Sequence, residues 1–171
     1  MAVFYERFYS FALSVCLAYA NNSEDARERV NDGFLKAFQA IGKLENEAVL
    51  LPWLRRIMVN TAIDHYRKDR KRAASVSTEL VGHNLEEPYL NHETIFAQLS
   101  ADDILKALHH LPPSYRIVFS LYVLEGYTHR DIADRLGLAE STSRAHLTEA
   151  NRLLRRALTG QNTDYHERTN R

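Results

Sequence analysis

Apolar positions recur through this chain at steps of three and four, the spacing that lines one face of a helix. Phe4, Phe8, Phe11, Val15 and Tyr19 predict a first helix. A second opens with Ser23 as N-cap and acidic residues in its first turn, carries Val30, Phe34, Leu35, Phe38 and Ile41 as its core face, and stops at Gly42. Gly33 inside it costs roughly 1 kcal/mol against Ala, so the position marks a close crossing with another helix. The third helix starts at Pro52 and buries Trp53, Ile57, Met58 and either Thr61 or Ala62, with basic residues around the rest of its surface. From Ala73 to about Asn91 the period is lost while Ser, Gly, Asn and Pro accumulate, the composition of a linker.

A second helical group follows. The stretch DDILKALHHL is a helix stopped by Pro112 and Pro113, and PSYRIVFSLYVLEG is a helix apolar on nearly every side that ends at Gly126. Thr128 then caps a short helix with Asp131 three residues on, and Ile132, Ala133 and Leu136 form its buried face. Gly137 supplies a left-handed turn, Leu138 plugs the core, and a longer helix runs from about Glu140 to Arg156 with Leu147, Leu153 and Leu154 inward. A small Ala four residues before the glycine, where two helices must cross, completes a helix-turn-helix spacing. The chain is read as all-α, with two small helical domains at 1–72 and 104–158, a flexible linker at 73–103 and a frayed polar tail at 159–171.

Charge complicates a DNA-reading element. Lys plus Arg and Asp plus Glu each number 22, so the whole chain offers nucleic acid no net attraction. The neutrality is an average over opposed blocks: residues 55–72 hold seven basic side chains against two acidic, and residues 73–107 hold one against six. Arg144, Arg152, Arg155 and Arg156 concentrate on the last helix. Each domain therefore owns a basic helix able to displace counterions from phosphate, although solvated charged faces have the same composition.

Other chemistry is thin. The eight histidines show no ligand spacing with cysteine or carboxylate, so no metal site is expected. The lone Cys16 has no internal disulfide partner and suits a reducing cytoplasm. The run FYSFALSVCLAYANN ends in a small-x-small pattern, but Glu6 and Arg7 before it cancel, and it is too short to span a bilayer. A cluster such as Asp64, His65 and Lys68 invites an enzymatic reading, yet no phosphate loop, nucleophile elbow or metal set completes a site. A stand-alone helix-turn-helix repressor or activator would leave the first domain unexplained.

Three stretches in this order, SEDARERVNDGFLKAFQAI, PWLRRIMVNTAIDHYRK and LHHLPPSYRIVFSLYVLEGYTHRDIADRLGLAESTSRAHLTEANRLLRR, resemble domain 2 and domain 4 of a sigma-70 family factor of the extracytoplasmic-function group, in the style of Bacteroidetes members. The resemblance covers about residues 4–72 and 104–158. It implies a cytoplasmic protein that catalyses nothing, needs no cofactor, binds core RNA polymerase and promoter DNA, meets an anti-sigma factor that is often membrane-bound, and does not itself enter the membrane. Such a protein need not bind DNA alone, because the polymerase carries it there, so a neutral chain with local basic helices suffices.

The same resemblance implies roles. Asn31, Asp32, Lys36 and Gln39 match the segment that grips the clamp helices of the largest polymerase subunit, and Arg55, Arg56, Asn60, Asp64, His65, Arg67 and Lys68 match the surface that meets the minus-ten region. The loop from Gly42 to Leu51 matches the site that captures a flipped base, though LENEAVLL is more acidic and apolar than the family pattern. Ser141, Thr142, Ser143, Arg144 and His146 match the reader of the minus-thirty-five element, with Thr128 and His129 near the backbone. Ala139 departs from the family's capping Ser, Ser143 from an often apolar residue, and Glu149 with Asn151 from frequent basic side chains, which implies weaker phosphate attraction there. The chain opens midway through the family's first helix, which implies a short natural start or an upstream start codon. The acidic linker fits either a nucleic-acid mimic inside the polymerase channel or solvated disorder.

Overall fold

The computed structural model describes residues 2–44, 46–74 and 100–168. Every regular element among the described residues is helical, and the chain divides into two compact units, Met1–Leu80 and Val81–Arg171.

In the first unit, α1 (Ala2–Leu17), α2 (Ser23–Ala40) and α3 (Leu50–Ala74) pack on one another. An aromatic cluster joins α1 to α2: Phe34 lies 4.7 Å from Tyr5 and 6.1 Å, edge-on, from Phe4. Beneath it Ala12, Val15, Cys16, Val30, Leu54, Met58 and Ala62 are buried. Gly33 sits where α2 meets α3, and a Cβ built on it would overlap Met58 Sδ. The close crossing expected from the sequence is present.

Four details differ from the sequence reading. The N-cap of α2 is Asn22, whose Oδ1 accepts from the Asp25 N–H at 2.8 Å; Ser23 is the first helical residue. Both residue types cap well, and the longer Asn side chain is the one placed to reach the third N–H. The helix ends at Ala40, just before the expected Gly42, and tightens into a 3₁₀ turn over Ile41–Lys43. Helix α3 begins at Leu50, two residues ahead of Pro52, which is tolerated because the first turn has no intrahelical acceptor for its N–H groups. Leu35 is not core: it is 61% exposed.

The second unit holds α4 (Ala101–His109), α5 (Pro113–Phe119), α6 (His129–Leu136) and α7 (Glu140–Arg168). Ser100 caps α4, and its hydroxyl holds the Asp103 carboxyl below the usual carboxylate range. Helix α4 thus starts inside the stretch assigned to the linker, whose acidic residues Glu79, Glu86, Glu87 and Glu93 lie outside the described residues. The expected single helix ending at Gly126 is instead α5 followed by a π turn over Ser120–Leu124. The tail expected to fray continues α7 through Arg168. Ile117, Val118, Phe119, Leu121, Ile132, Leu136, Ala150 and Leu154 form the core, while Leu153 is only half-buried.

Candidate nucleic-acid interface

Helix α3 has 25 residues, about 37 Å at 1.5 Å per residue, and its sequence divides it in two. The first half buries Leu54, Met58, Val59, Ala62 and Ile63 against α1 and α2. The second half leaves the core, and Arg67, Lys68, Arg70, Lys71 and Arg72 are exposed. Of the remaining residues assigned to this surface, Arg56 and Asp64 are exposed, whereas Arg55, Asn60 and His65 are half-buried.

The structure brings the two sets of candidate residues of this unit edge to edge. Lys36 Nζ lies 2.8 Å from Asp64 Oδ2, and His65 Nε2 lies 2.8 Å from Asp32 Oδ2. Asn31 Oδ1 accepts from the Tyr5 hydroxyl at 3.0 Å, and Gln39 is exposed. Beside these pairs a polar groove of about 190 Å³ opens between Asp25, Arg29 and Asp32 of α2 and His65, Lys68 and Arg72 of α3. Arg29 is the residue that sequence reasoning missed here. It is 5% exposed, and its Nε and Nη1 are buried with no hydrogen-bond partner among the described residues. It also lowers the affinity of the Cys16 thiol for its proton, although burial dominates and pushes that thiol up to about 12.

In the second unit the turn is as the sequence chemistry demands. Thr128 Oγ1 accepts from the Asp131 N–H at 3.1 Å and the Asp131 carboxylate accepts from the Thr128 N–H at 3.1 Å, a complete capping box. The Thr128 hydroxyl, then its backbone N–H, hold the Asp131 carboxyl below its ordinary range. Gly137 adopts φ 64° and ψ 48°, where a Cβ is strained, and the Leu138 N–H closes the turn on the Ala133 carbonyl at 3.1 Å.

Helix α7 then sorts the predicted readers by its own phase. Leu147, Ala150, Leu154 and Leu158 set the buried stripe, and stepping back by four from Leu147 and from Ala150 places Ser143 and His146 on it. Ser143 is fully buried with its Oγ 3.0 Å from His129 Nδ1, and His146 is 6% exposed with its ring 5.1 Å from that of Tyr115. These two side chains are therefore not on the outward face expected of readers; they fix α7 to its neighbours. Ser141 and Arg144 face outward, and Thr142 is half-buried.

The phase also brings forward residues outside the predicted set. Ala145 and Thr148 are half-buried on the outward side next to Arg144, Glu140 pairs with Arg144, and Glu149 pairs with Arg152 at 2.9 Å. A cleft of about 470 Å³ lies between Tyr122, Thr128, His129, Arg130, Glu140 and Arg144. His129 forms part of it, stacked 4.6 Å from Tyr122 at 21°, and its pKa is lowered first by burial and then by Arg144. Thr128 is exposed at the rim. No group of three or more metal-ligating side chains occurs among the described residues, and no helix there is long and apolar enough to cross a membrane.

Two family models match the chain in sequence order, Sigma-70 region 2 over residues 4–72 and Sigma-70 region 4 over residues 101–157. The chain is 28% identical over 150 residues to a Xanthomonas campestris protein named "Probable RNA polymerase sigma factor RfaY", covering 85% of this chain but only 37% of that protein's length. It is also 28% identical over 144 residues to the ECF RNA polymerase sigma factor SigM of Mycobacterium tuberculosis, covering 84% of this chain and 69% of that protein. Among solved structures, the sigma factor RpoE of Bartonella quintana, crystallised in complex with the anti-sigma factor NepR, is similar in fold, with a TM-score of 0.52, 20% identity, and coverage of 93% of this chain and 98% of that one.

Proposed function

Because the chain belongs to the sigma-70 family, in its extracytoplasmic-function group, we propose that it binds core RNA polymerase in the cytoplasm, directs it to a subset of promoters and assists their opening. The observation that carries this reading is the order on one chain: a region 2 unit whose helix α3 ends in exposed basic residues, then a region 4 unit with a fully capped helix-turn-helix. A sigma factor is a non-enzymatic initiation factor, so the polar groups serve binding rather than catalysis.

In this reading Asn31, Asp32, Lys36 and Gln39 meet the polymerase. Arg55, Arg56, Asn60, Asp64, His65, Arg67 and Lys68 meet the minus-ten region. Opening DNA unstacks bases at a few kcal/mol per step, and a basic helix offsets that by holding the separated strand. The minus-thirty-five element is read by Ser141, Thr142 and Arg144, with Thr128 and His129 at the backbone side of the cleft. Ser143 and His146 support that helix from within. We further infer from the motif wording that the chain is a Bacteroidetes-like member and that an anti-sigma factor is its natural antagonist, as NepR is the partner in the structure of the Bartonella protein.

The test is co-migration of the purified protein with bacterial core RNA polymerase in gel filtration, with promoter-opening footprints on the same fraction. Binding accompanied by opening establishes the reading. Absence of polymerase binding, together with tight dimeric binding to duplex DNA alone, replaces it with a stand-alone regulator. Within the reading, Arg144→Glu should weaken promoter-specific transcription and leave polymerase affinity unchanged.

A further inference from the structure

We propose that Glu140 is a positioning residue for base readout, holding the Arg144 guanidinium in the orientation with which it contacts a guanine; the inference rests on the sigma-factor reading. Arginine recognises guanine through two parallel N–H groups directed at O6 and N7, so the plane of its guanidinium decides whether one contact or two form. A free arginine on a helix surface samples many rotamers, and the wrong ones still attract any phosphate nearby.

Arg144 is not free. Its Nη2 pairs with Glu140 Oε1 on the preceding turn, although 63% of the Arg144 side chain and 46% of the Glu140 side chain remain exposed. Nη2 carries two hydrogens, so the pairing leaves one to donate alongside Nη1. Both residues border the cleft that also contains Thr128, His129 and Arg130 at the start of α6. A backbone phosphate seated against that end of α6 would set the depth of α7 in the groove, and the tether would then set the direction of Arg144.

Two further observations favour positioning over an incidental surface pair. The device recurs along α7: Arg152 donates through both Nε and Nη2 to Glu149 Oε2, each at 2.9 Å. Its charge consequence also fits a helix that reads sequence more than it grips phosphate. Each tethered arginine has its charge compensated on its own helix, so the phosphate attraction that is blind to sequence falls while the directed contacts remain.

Glu140 is also the first residue of α7, where any carboxylate stabilises the helix dipole. Two substitutions separate the roles. Glu140→Asp keeps the negative charge at the helix start but shortens the side chain away from Arg144. Glu140→Gln keeps the length and removes the charge. Each variant, reconstituted with core RNA polymerase as full-length chain, would select duplex DNA from a pool randomised over ten base pairs upstream of a fixed minus-ten region.

Positioning requires both variants to lose about three- to tenfold of the wild-type preference at one base pair, with preferences elsewhere unchanged. Glu140→Gln alone should also steepen the salt dependence of DNA binding by about one released counterion. Unchanged preference at every position, or a uniform loss of occupancy on all sequences, overturns the inference and leaves the sigma-factor reading standing. If wild-type holoenzyme enriches no element at all, the reading itself fails and takes the inference with it.

Discussion

Lys36 of α2 and Asp64 of α3 meet with 2.8 Å between Nζ and Oδ2, and the pair joins a helix assigned to the polymerase with a helix assigned to the promoter. The side chains are 45% and 52% exposed, so water screens the attraction and the pair contributes no more than about 1 kcal/mol. Lys36→Ala should therefore lower Tm by no more than about 4–8 °C while reducing affinity for core polymerase far more than that loss explains. The charge-swapped double variant, Lys36→Asp with Asp64→Lys, should recover the melting temperature but not the affinity. Recovery of both, followed by circular dichroism and gel filtration, would mean that the pair is purely structural.

Gly33 gives a sharper stability prediction. Alanine gains roughly 1 kcal/mol of helix propensity at this position, but its methyl group must displace Met58, which is fully buried. Overpacking a filled core costs about 1–3 kcal/mol, so the packing loss exceeds the propensity gain and Gly33→Ala should be net destabilising by about 1 kcal/mol. In a Met58→Ala background the same change should cost less or become favourable, because the obstructing sulfur is gone. Urea denaturation of the four members of this cycle measures the coupling, and strict additivity would place Met58 elsewhere.

Arg29 reverses the usual expectation for removing a charged residue. The residue is 5% exposed, and two of its guanidinium nitrogens are buried without a hydrogen-bond partner among the described residues. Burial without a partner is unfavourable by about 1–3 kcal/mol per group, and Asp25 and Asp32, which border the same groove from α2, offset part of it. Arg29→Leu should raise Tm, and it should also push the Cys16 thiol pKa further up, because the one lowering influence is removed. A fall in Tm would show that the guanidinium makes a bond through ordered water that leucine cannot replace.

How far the sequence carried the fold depends on which forces act locally. The capping box at Thr128 and the left-handed Gly137 are each dictated by a few adjacent atoms, and the crossing at Gly33 is marked by a glycine that a helix interior otherwise disfavours; all three were legible. The start of α3 was not, because Leu50 and Leu51 extend the helix ahead of Pro52 at no cost in hydrogen bonds. Ser143 and His146 were misplaced for a related reason. Their polarity suggested the groove, but the phase set by Leu147, Ala150 and Leu154 overrides residue type, and His129 and Tyr115 supply polar and aromatic company inside. Leu35 errs in the opposite direction: its hydrophobicity suggested the core, while Val30, Phe34 and Ala37 already fill that face of α2. The ion pairs linking α2 to α3 depend on how two distant segments rotate against each other, which periodicity does not encode.

The capping box makes the recognition unit sensitive to acid in a defined direction. The Asp131 carboxyl has a lower pKa in the folded chain than unfolded, because Thr128 donates to its charged form. Its contribution is therefore fully present above the ordinary carboxylate pKa and is lost as pH falls through the lowered folded value. His129 adds to the trend at higher pH. Its folded pKa also lies below the ordinary imidazole value, so the unfolded chain takes up its proton first and stability begins to decline as pH drops below about 6.5. Thr128→Val keeps the shape of the cap and removes the hydroxyl, which should cost about 1 kcal/mol at neutral pH and move the Asp131 titration upward towards its ordinary value. Carboxyl-detected NMR titration of wild type and variant reads both groups. An Asp131 pKa that stays low in Thr128→Val would assign the shift to the backbone N–H of residue 128, which valine keeps, and to the neighbouring Arg135 and Arg130, instead of the hydroxyl.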